Sequence, residues 1–226
     1  MIVGQRDEET MNLMTVAMVS LAAQLSSKSA RFVIMDGSSP DSPQAGMLER
    51  VGSALPNDCR VVSWREVPET IAELNREADR RVQADLHNEP AIFLLVYGLQ
   101  RYRMLRRNED AFGLSLDEDA QQSPDVQFAG LLREGPGVGI HVLTWADTLS
   151  TVERTVDRQT VREFDHRVLF QMSAGDSSNL IDSPICNQLG YHRALLYSEA
   201  QGGMEKFRPY APLEDQWLAD VGKRLS

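Results

Sequence analysis

Four arginines crowd the stretch from 101 to 107: Arg101, Arg103, Arg106 and Arg107. Guanidinium groups at this density suit phosphate, either of DNA or of a nucleotide held by a neighbouring subunit, because each offers a fixed fork of donors to an oxyanion. Their spacing puts Arg103, Arg106 and Arg107 on one face if the segment is helical. The plainer reading of the same residues is a solvated helix end paired with the acidic stretch that follows, from Asn108 to Pro124. Other chemistry is sparse. Cys59 and Cys186 have no CxxC or CxxH neighbour, so a structural zinc site is not expected, and both read as small buried hydrophobes. His141 lies inside an apolar run and reads as a hydrogen-bonded core residue, while His87, His166 and His192 are scattered. No Gly-x-Ser-x-Gly elbow occurs. Lys206-Phe207-Arg208-Pro209-Tyr210 could present two rings and an arginine to a partner, or simply close the last strand.

The elements that must position these groups follow from hydrophobic patterning. Arg31 to Asp36, Ala91 to Tyr97 and Gly139 to Trp145 are apolar runs rich in β-branched residues and read as buried strands. Shorter strands are expected at Met1 to Val3, Cys59 to Ser63, His166 to Met172, His192 to Tyr197 and Lys206 to Tyr210. Helical spacing runs through Glu8 to Leu25, with Met11, Met14, Ala17, Met18, Leu21 and Leu25 on one face. It recurs through Glu66 to His87, Gln127 to Arg133 and Leu213 to Arg224. In the last of these, Leu213, Trp217, Leu218 and Val221 form a stripe that suits either core or docking. Strands alternating with helices predict an α/β fold with a mostly parallel sheet covered on both faces. Residues 1–150 would supply the core sheet, and residues 151–226 the C-terminal strands and closing helix.

The chain has 226 residues and a net charge of −10. Its length fits one large domain better than two small ones. The acidic balance disfavours holding nucleic acid by overall field, without excluding a local patch. No run of 18 or more apolar residues occurs, and the N-terminus lacks a basic segment leading an apolar one. The expected setting is cytoplasmic, with membrane tethering, if any, through other parts of a larger protein.

Three ordered segments carry a family resemblance. Arg133-Glu-Gly-Pro-Gly-Val-Gly-Ile-His-Val-Leu-Thr-Trp145 resembles the strand that follows Walker B in FtsK/SpoIIIE-type motor ATPases and ends in a polar sensor. Phe164 to Asp182, containing His166-Arg167-Val168 and Asp176-Ser177-Ser178, is similar to the family's segment ending in its DSR motif. Leu189-Gly190 followed by Ala194 to Tyr197 is similar to its closing strand. The resemblance spans nearly the whole chain and implies a RecA-like P-loop NTPase fold. It also implies ATP and magnesium as cofactors, an oligomeric ring, and double-stranded DNA or, in secretion relatives, protein as the moved substrate.

The family's hydrolytic parts are altered here. A phosphate-binding loop reads GxxxxGK[ST], whose glycines let backbone N–H groups wrap the phosphates while the lysine reaches the β- and γ-phosphates. The matching turn is Val3-Gly4-Gln5-Arg6-Asp7-Glu8-Glu9-Thr10-Met11. Gly4 keeps the first glycine, Glu9 replaces the second, Thr10 the lysine, and Met11 the Ser/Thr. Gly4, Gln5, Arg6 and Thr10 are thus the candidate residues of a degenerate nucleotide turn. Acids at Asp7, Glu8 and Glu9 would oppose a polyphosphate and suit the first turn of an ordinary helix. The Walker-B-like strand ends in Tyr97-Gly98 rather than in paired carboxylates. The sensor place holds Ala146-Asp147, and no catalytic residue is assigned. Arg167 matches a family arginine near a subunit boundary, and either a trans-acting role or a buried ion pair with Asp165 or Asp176 would explain it.

Three functions are consistent with these residues. One is a degenerate ATPase module with a structural or regulatory role in a larger DNA translocase-like motor, packed against active ATPase domains of its own chain or of neighbouring subunits. Another is a partner- or peptide-binding module of a secretion-type tandem ATPase. The third is an ATP-binding translocase domain that uses Arg6 and Asp147 as substitutes.

Overall fold

The computed structural model describes residues 1–86, 88–108 and 122–225. His87 and most of the expected acidic loop (109–121) therefore lie outside the described residues. Eight strands form one sheet: β1 (Ile2–Val3), β2 (Ala30–Asp36), β3 (Asp58–Val61), β4 (Ala91–Tyr97), β5 (Ile140–Ala146), β6 (His166–Leu169), β7 (Ala194–Ser198) and β8 (Gly203–Phe207). Their spatial order is β3-β2-β4-β5-β1-β6-β7-β8. All pairs from β3 to β6 are parallel, and β7 and β8 add an antiparallel edge. The helices are α1 (Asp7–Gln24), α2 (Met47–Ala54), α3 (Val67–Gln83), α4 (Pro124–Glu134), α5 (Leu149–Thr155), α6 (Arg158–Arg162), α7 (Ala174–Ile181) and α8 (Asp215–Leu225). The mostly parallel, RecA-like α/β architecture expected from the sequence is present.

Side-chain alternation in β4 shows how the sheet divides its apolar residues between two layers. Ile92, Leu94 and Val96 enter the core under α3, α4, α5 and α6, while Leu95 and Tyr97 enter the opposite core under α1, α2 and α8. β2 splits likewise, Val33 and Met35 to one side and Phe32 and Ile34 to the other. Burial on both faces is why these strands read as near-continuous apolar runs.

The sidedness of the helices opens crevices at the carboxyl edge of the sheet. β1 and β2 are followed by α1 and α2 on one face, and β4 and β5 by α4 and α5 on the other. Neighbouring strands whose connections leave to opposite faces open a gap between their loops. This happens between β5 and β1 and between β2 and β4, and also between β3 and β2 and between β1 and β6, since α3 and α7 lie on the same face as α4 and α5.

Several details depart from the expected elements. The buried stripe of α1 is Met11, Met14, Met18 and Ala22, joined by Thr10, Asn12 and Thr15, so the helix is rotated relative to its apolar pattern. Two of the polar members are accommodated by hydrogen bonds: Asn12 Nδ2 donates to the Tyr210 carbonyl, and Thr15 Oγ1 to that of Met11. β8 lies three residues earlier than Lys206–Tyr210, because its register is fixed by antiparallel pairing with β7 across a short turn. Cys59 is half-buried rather than fully buried, both cysteines are free, and His141 is exposed with its ring stacked on Phe93, the centroids being 5.4 Å apart. In α8, Leu218 is buried while Trp217 remains 45% exposed, so the expected stripe is split between core and surface.

Candidate functional site

The β5/β1 crevice is where the sequence places its nucleotide turn. Only Gly4, Gln5 and Arg6 separate β1 from α1. Asp7, Glu8 and Glu9, which occupy the span that a phosphate loop would use as cradle, already belong to the first helical turn. Gly4 adopts φ +138°, and a Cβ there would sit 2.7 Å from Phe170 Cβ, so the glycine serves close packing against β6. The Arg6 guanidinium lies over the Tyr191 ring, 4.9 Å from its centre. Glu9 Oε1 is 3.0 Å from His192 Nδ1, which ties the helix start to the loop before β7. Thr10, at the lysine's place, is buried, and its hydroxyl has no hydrogen-bond partner among the described residues.

Two aromatic side chains support the turn from below. Trp145 Nε1 donates to the Gly4 carbonyl at 2.9 Å, and the Tyr97 hydroxyl donates to the Asp7 carbonyl at 3.1 Å. Their rings pack with centres 4.6 Å apart. Burial, helped by the nearby carboxylates of Asp7 and Asp36, pushes the Tyr97 phenol above its ordinary value, so it stays a neutral donor. Tyr97 stands where the resemblance calls for a magnesium-holding carboxylate, and it is spent on holding the backbone. Asp147, in the sensor region, accepts from the hydroxyls of Thr148 at 3.2 Å and Thr151 at 2.6 Å and so opens α5. These residues do not fit a triphosphate with magnesium: the turn has no glycine cradle and no lysine, and its helix start carries three carboxylates. Among the described residues no group of three His, Cys, Asp or Glu side chains is placed to hold a metal ion.

The β2/β4 crevice contains most of the basic cluster. The segment after β4 is not the single helical face the spacing predicts. It forms two 3-10 turns, Leu99–Arg101 and Arg103–Leu105, because Leu99, Tyr102 and Leu105 each turn into the core. Arg101, Arg103 and Arg106 border a recess, whereas the Arg107 backbone N–H pairs with the Arg154 carbonyl and its charge helps hold the Asp157 carboxyl below the usual range, after hydrogen bonds from Thr160. Gly98 takes φ +82°, which allows the reversal out of β4.

Arg167 is 3% exposed. Its guanidinium donates to the carbonyls of Val161 and Leu180, lies 2.8 Å from Glu199 Oε2, and sits over the Tyr197 ring. Its ion-pair partner is thus Glu199 and not Asp165 or Asp176, since the antiparallel β6–β7 pairing brings the end of β7 beside it. A cavity of about 540 Å3 adjoins Arg167, with Arg158 and Arg162 on its wall.

No family model matches the sequence, and no curated protein matches it. Solved structures do. The conjugation coupling protein TcpA of pCW3, in its monomer form with ATPγS, superposes with a TM-score of 0.70 at 12% identity, covering 100% of this chain and 63% of TcpA. Thermomonospora curvata EccC, ATPases 2 and 3 in complex with a signal sequence peptide, matches at TM-score 0.66 and 16% identity over 99% of this chain and 41% of that one. The genome packaging NTPase B204 of Sulfolobus turreted icosahedral virus 2, in complex with AMPPCP, matches at 0.54 and 11% identity, covering 93% and 97% of the two chains. The chain therefore spans less than two thirds of TcpA and of EccC. The ordered motifs and these superpositions together give the chain the fold of an FtsK/SpoIIIE-type P-loop ATPase domain.

Proposed function

We propose that this chain is a module of a multi-domain FtsK/SpoIIIE-like ATPase that does not hydrolyse ATP itself and has a structural or regulatory role beside active copies of the same fold. The observation that carries the reading is the β1–α1 turn. It is three residues long, is tied down by Trp145 and Tyr97, and is fronted by Asp7, Glu8 and Glu9. Arg6, the substitute cation, is occupied on Tyr191. The moved substrate in this reading is double-stranded DNA, with Arg101, Arg103, Arg106 and Arg107 as its phosphate contacts. Phosphate release from magnesium-ATP by the purified chain tests the proposal. The expected rate equals the uncatalysed background and is the same in Arg6→Ala. A turnover that Arg6→Ala abolishes would instead establish an ATPase with substitute residues.

A second reading is a peptide-binding module of a secretion-type tandem ATPase, favoured by one observation. An apolar groove of about 680 Å3 runs between α1 and the segment entering α8, with Val16, Val19, Tyr210 and the half-exposed Trp217 on its walls. One of the matched structures, EccC ATPases 2 and 3, was solved with a signal sequence peptide. No helix among the described residues is long and apolar enough to cross a membrane.

A further inference from the structure

The β2/β4 crevice carries groups that the proposed function does not explain. Loops from three strands meet there: Asp36 to Pro40 after β2, Trp64 after β3, and Gln100 to Arg106 after β4. They enclose a recess of about 420 Å3, within the range of small-molecule sites. The loops approach closely through glycine. Gly37 N–H donates to the Tyr97 carbonyl at 2.8 Å, and a Cβ on Gly37 would lie 2.5 Å from that oxygen.

The chemistry of the recess is sorted by position. Arg101, Arg103 and Arg106 bring three positive charges to a chain whose net charge is −10. Among the described residues neither the Arg101 nor the Arg103 side chain has an ion-pair or hydrogen-bond partner, and both residues are exposed, so their forks are free for an oxyanion. Arg106 is anchored by a bond to the Gln100 carbonyl at 3.1 Å. Ser38 and Ser39 add hydroxyls. Asp36 ends β2, and its Oδ1 accepts from the Ser38 N–H at 2.9 Å, which leaves Oδ2 for a hydroxyl-bearing ligand. Trp64 stacks on Tyr102 with ring centres 5.0 Å apart and 19° between planes, yet is 49% exposed. A tryptophan immobilised by an aromatic neighbour with half its surface open is a ready platform for a second flat ring.

An oxyanion, a hydroxylated spacer and a planar ring in one small ligand describe a nucleoside phosphate. We infer that the β2/β4 crevice binds a nucleoside monophosphate, with its phosphate on Arg101 and Arg103, its sugar hydroxyls toward Asp36, and its base on Trp64. The location agrees with the general tendency of open parallel sheets to bind ligands at the carboxyl ends of strands whose connections diverge. This site needs neither a glycine cradle nor magnesium, and it is separated from the β1–α1 turn by β5.

The inference is independent of whether that turn has lapsed, and the variants keep the two apart. AMP is titrated without magnesium into the wild-type chain, Arg103→Ala, Trp64→Ala and Arg6→Ala, with fluorescence and calorimetry as readouts. The Arg103 side chain has no partner among the described residues, so its truncation leaves the fold intact. The expected result is saturable binding of AMP, weakened about tenfold or more in Arg103→Ala and in Trp64→Ala and unchanged in Arg6→Ala. Inorganic phosphate should bind more weakly than AMP and be insensitive to Trp64→Ala. Absence of AMP binding at about 1 mM, the weakest range of specific affinity worth counting, would overturn the site, as would binding lost in Arg6→Ala but not in Arg103→Ala. Duplex DNA binding that needs Arg103 in a chain that ignores AMP would also overturn it, because the arginines would then read backbone phosphate alone.

Discussion

The β5/β1 and β2/β4 crevices at the carboxyl edge of this sheet arise from the same topological cause and are filled in opposite ways. Between β5 and β1 the turn is short, its helix start is acidic, and Trp145 and Tyr97 fill the space beneath it with rings and hydrogen bonds. Between β2 and β4 the loops leave a recess, and it is lined by Arg101 and Arg103, whose side chains have no partner among the described residues, and by Arg106, anchored on the Gln100 carbonyl. Side chains in the first crevice stabilise the fold, while those in the second are held in place without being used by it. A fold's customary ligand position therefore says less about function than the satisfaction of the groups that occupy it.

That contrast can be broken by substitution. The largest expected effect belongs to Trp145→Ala, which empties a side chain only 3% exposed and releases the Gly4 carbonyl. Its cost should be about 3–5 kcal/mol in chemical denaturation, in the range of large-to-small aromatic substitutions in cores. A cost below about 1 kcal/mol would mean the first crevice is not packed as described. Tyr97→Phe keeps the ring and removes the bond to the Asp7 carbonyl, so a loss of about 1 kcal/mol is expected. The smallest effect should come from Arg103→Ala, within about 0.5 kcal/mol of the parent, since no described contact depends on it. A larger loss there would show that the second crevice is structural too.

Much of the fold was legible because β2, β4 and β5 bury both faces and so read as apolar runs of strand length. The rotation of α1 was hidden, since Asn12 and Thr15 are polar residues whose burial is permitted by bonds to the Tyr210 and Met11 carbonyls, and Thr10 is buried beside them with its hydroxyl unpartnered among the described residues. α2 escaped notice because it is short and follows a Ser- and Pro-rich stretch that reads as loop. For the first crevice, the assignment of Thr10 to the lysine's place and of Tyr97 to the carboxylate's place rests on the family resemblance, and the use of Trp145 and Tyr97 as props for the turn could not be read from the sequence. The basic cluster was visible in sequence as charge density. Its division into three arginines at a recess and Arg107 turned away depends on the burial of Leu99, Tyr102 and Leu105, and Asp36 and Trp64 join it only through the order of the strands.

The central claim, that the β1–α1 turn no longer holds a nucleotide, is tested most directly by calorimetry of magnesium-ATP on the Arg103→Ala chain, where the second crevice is disabled. No binding tighter than about 100 μM, roughly −5.5 kcal/mol, is the predicted result. A tighter affinity that disappears when Arg6→Ala is added would contradict the account and restore the turn as a working nucleotide site.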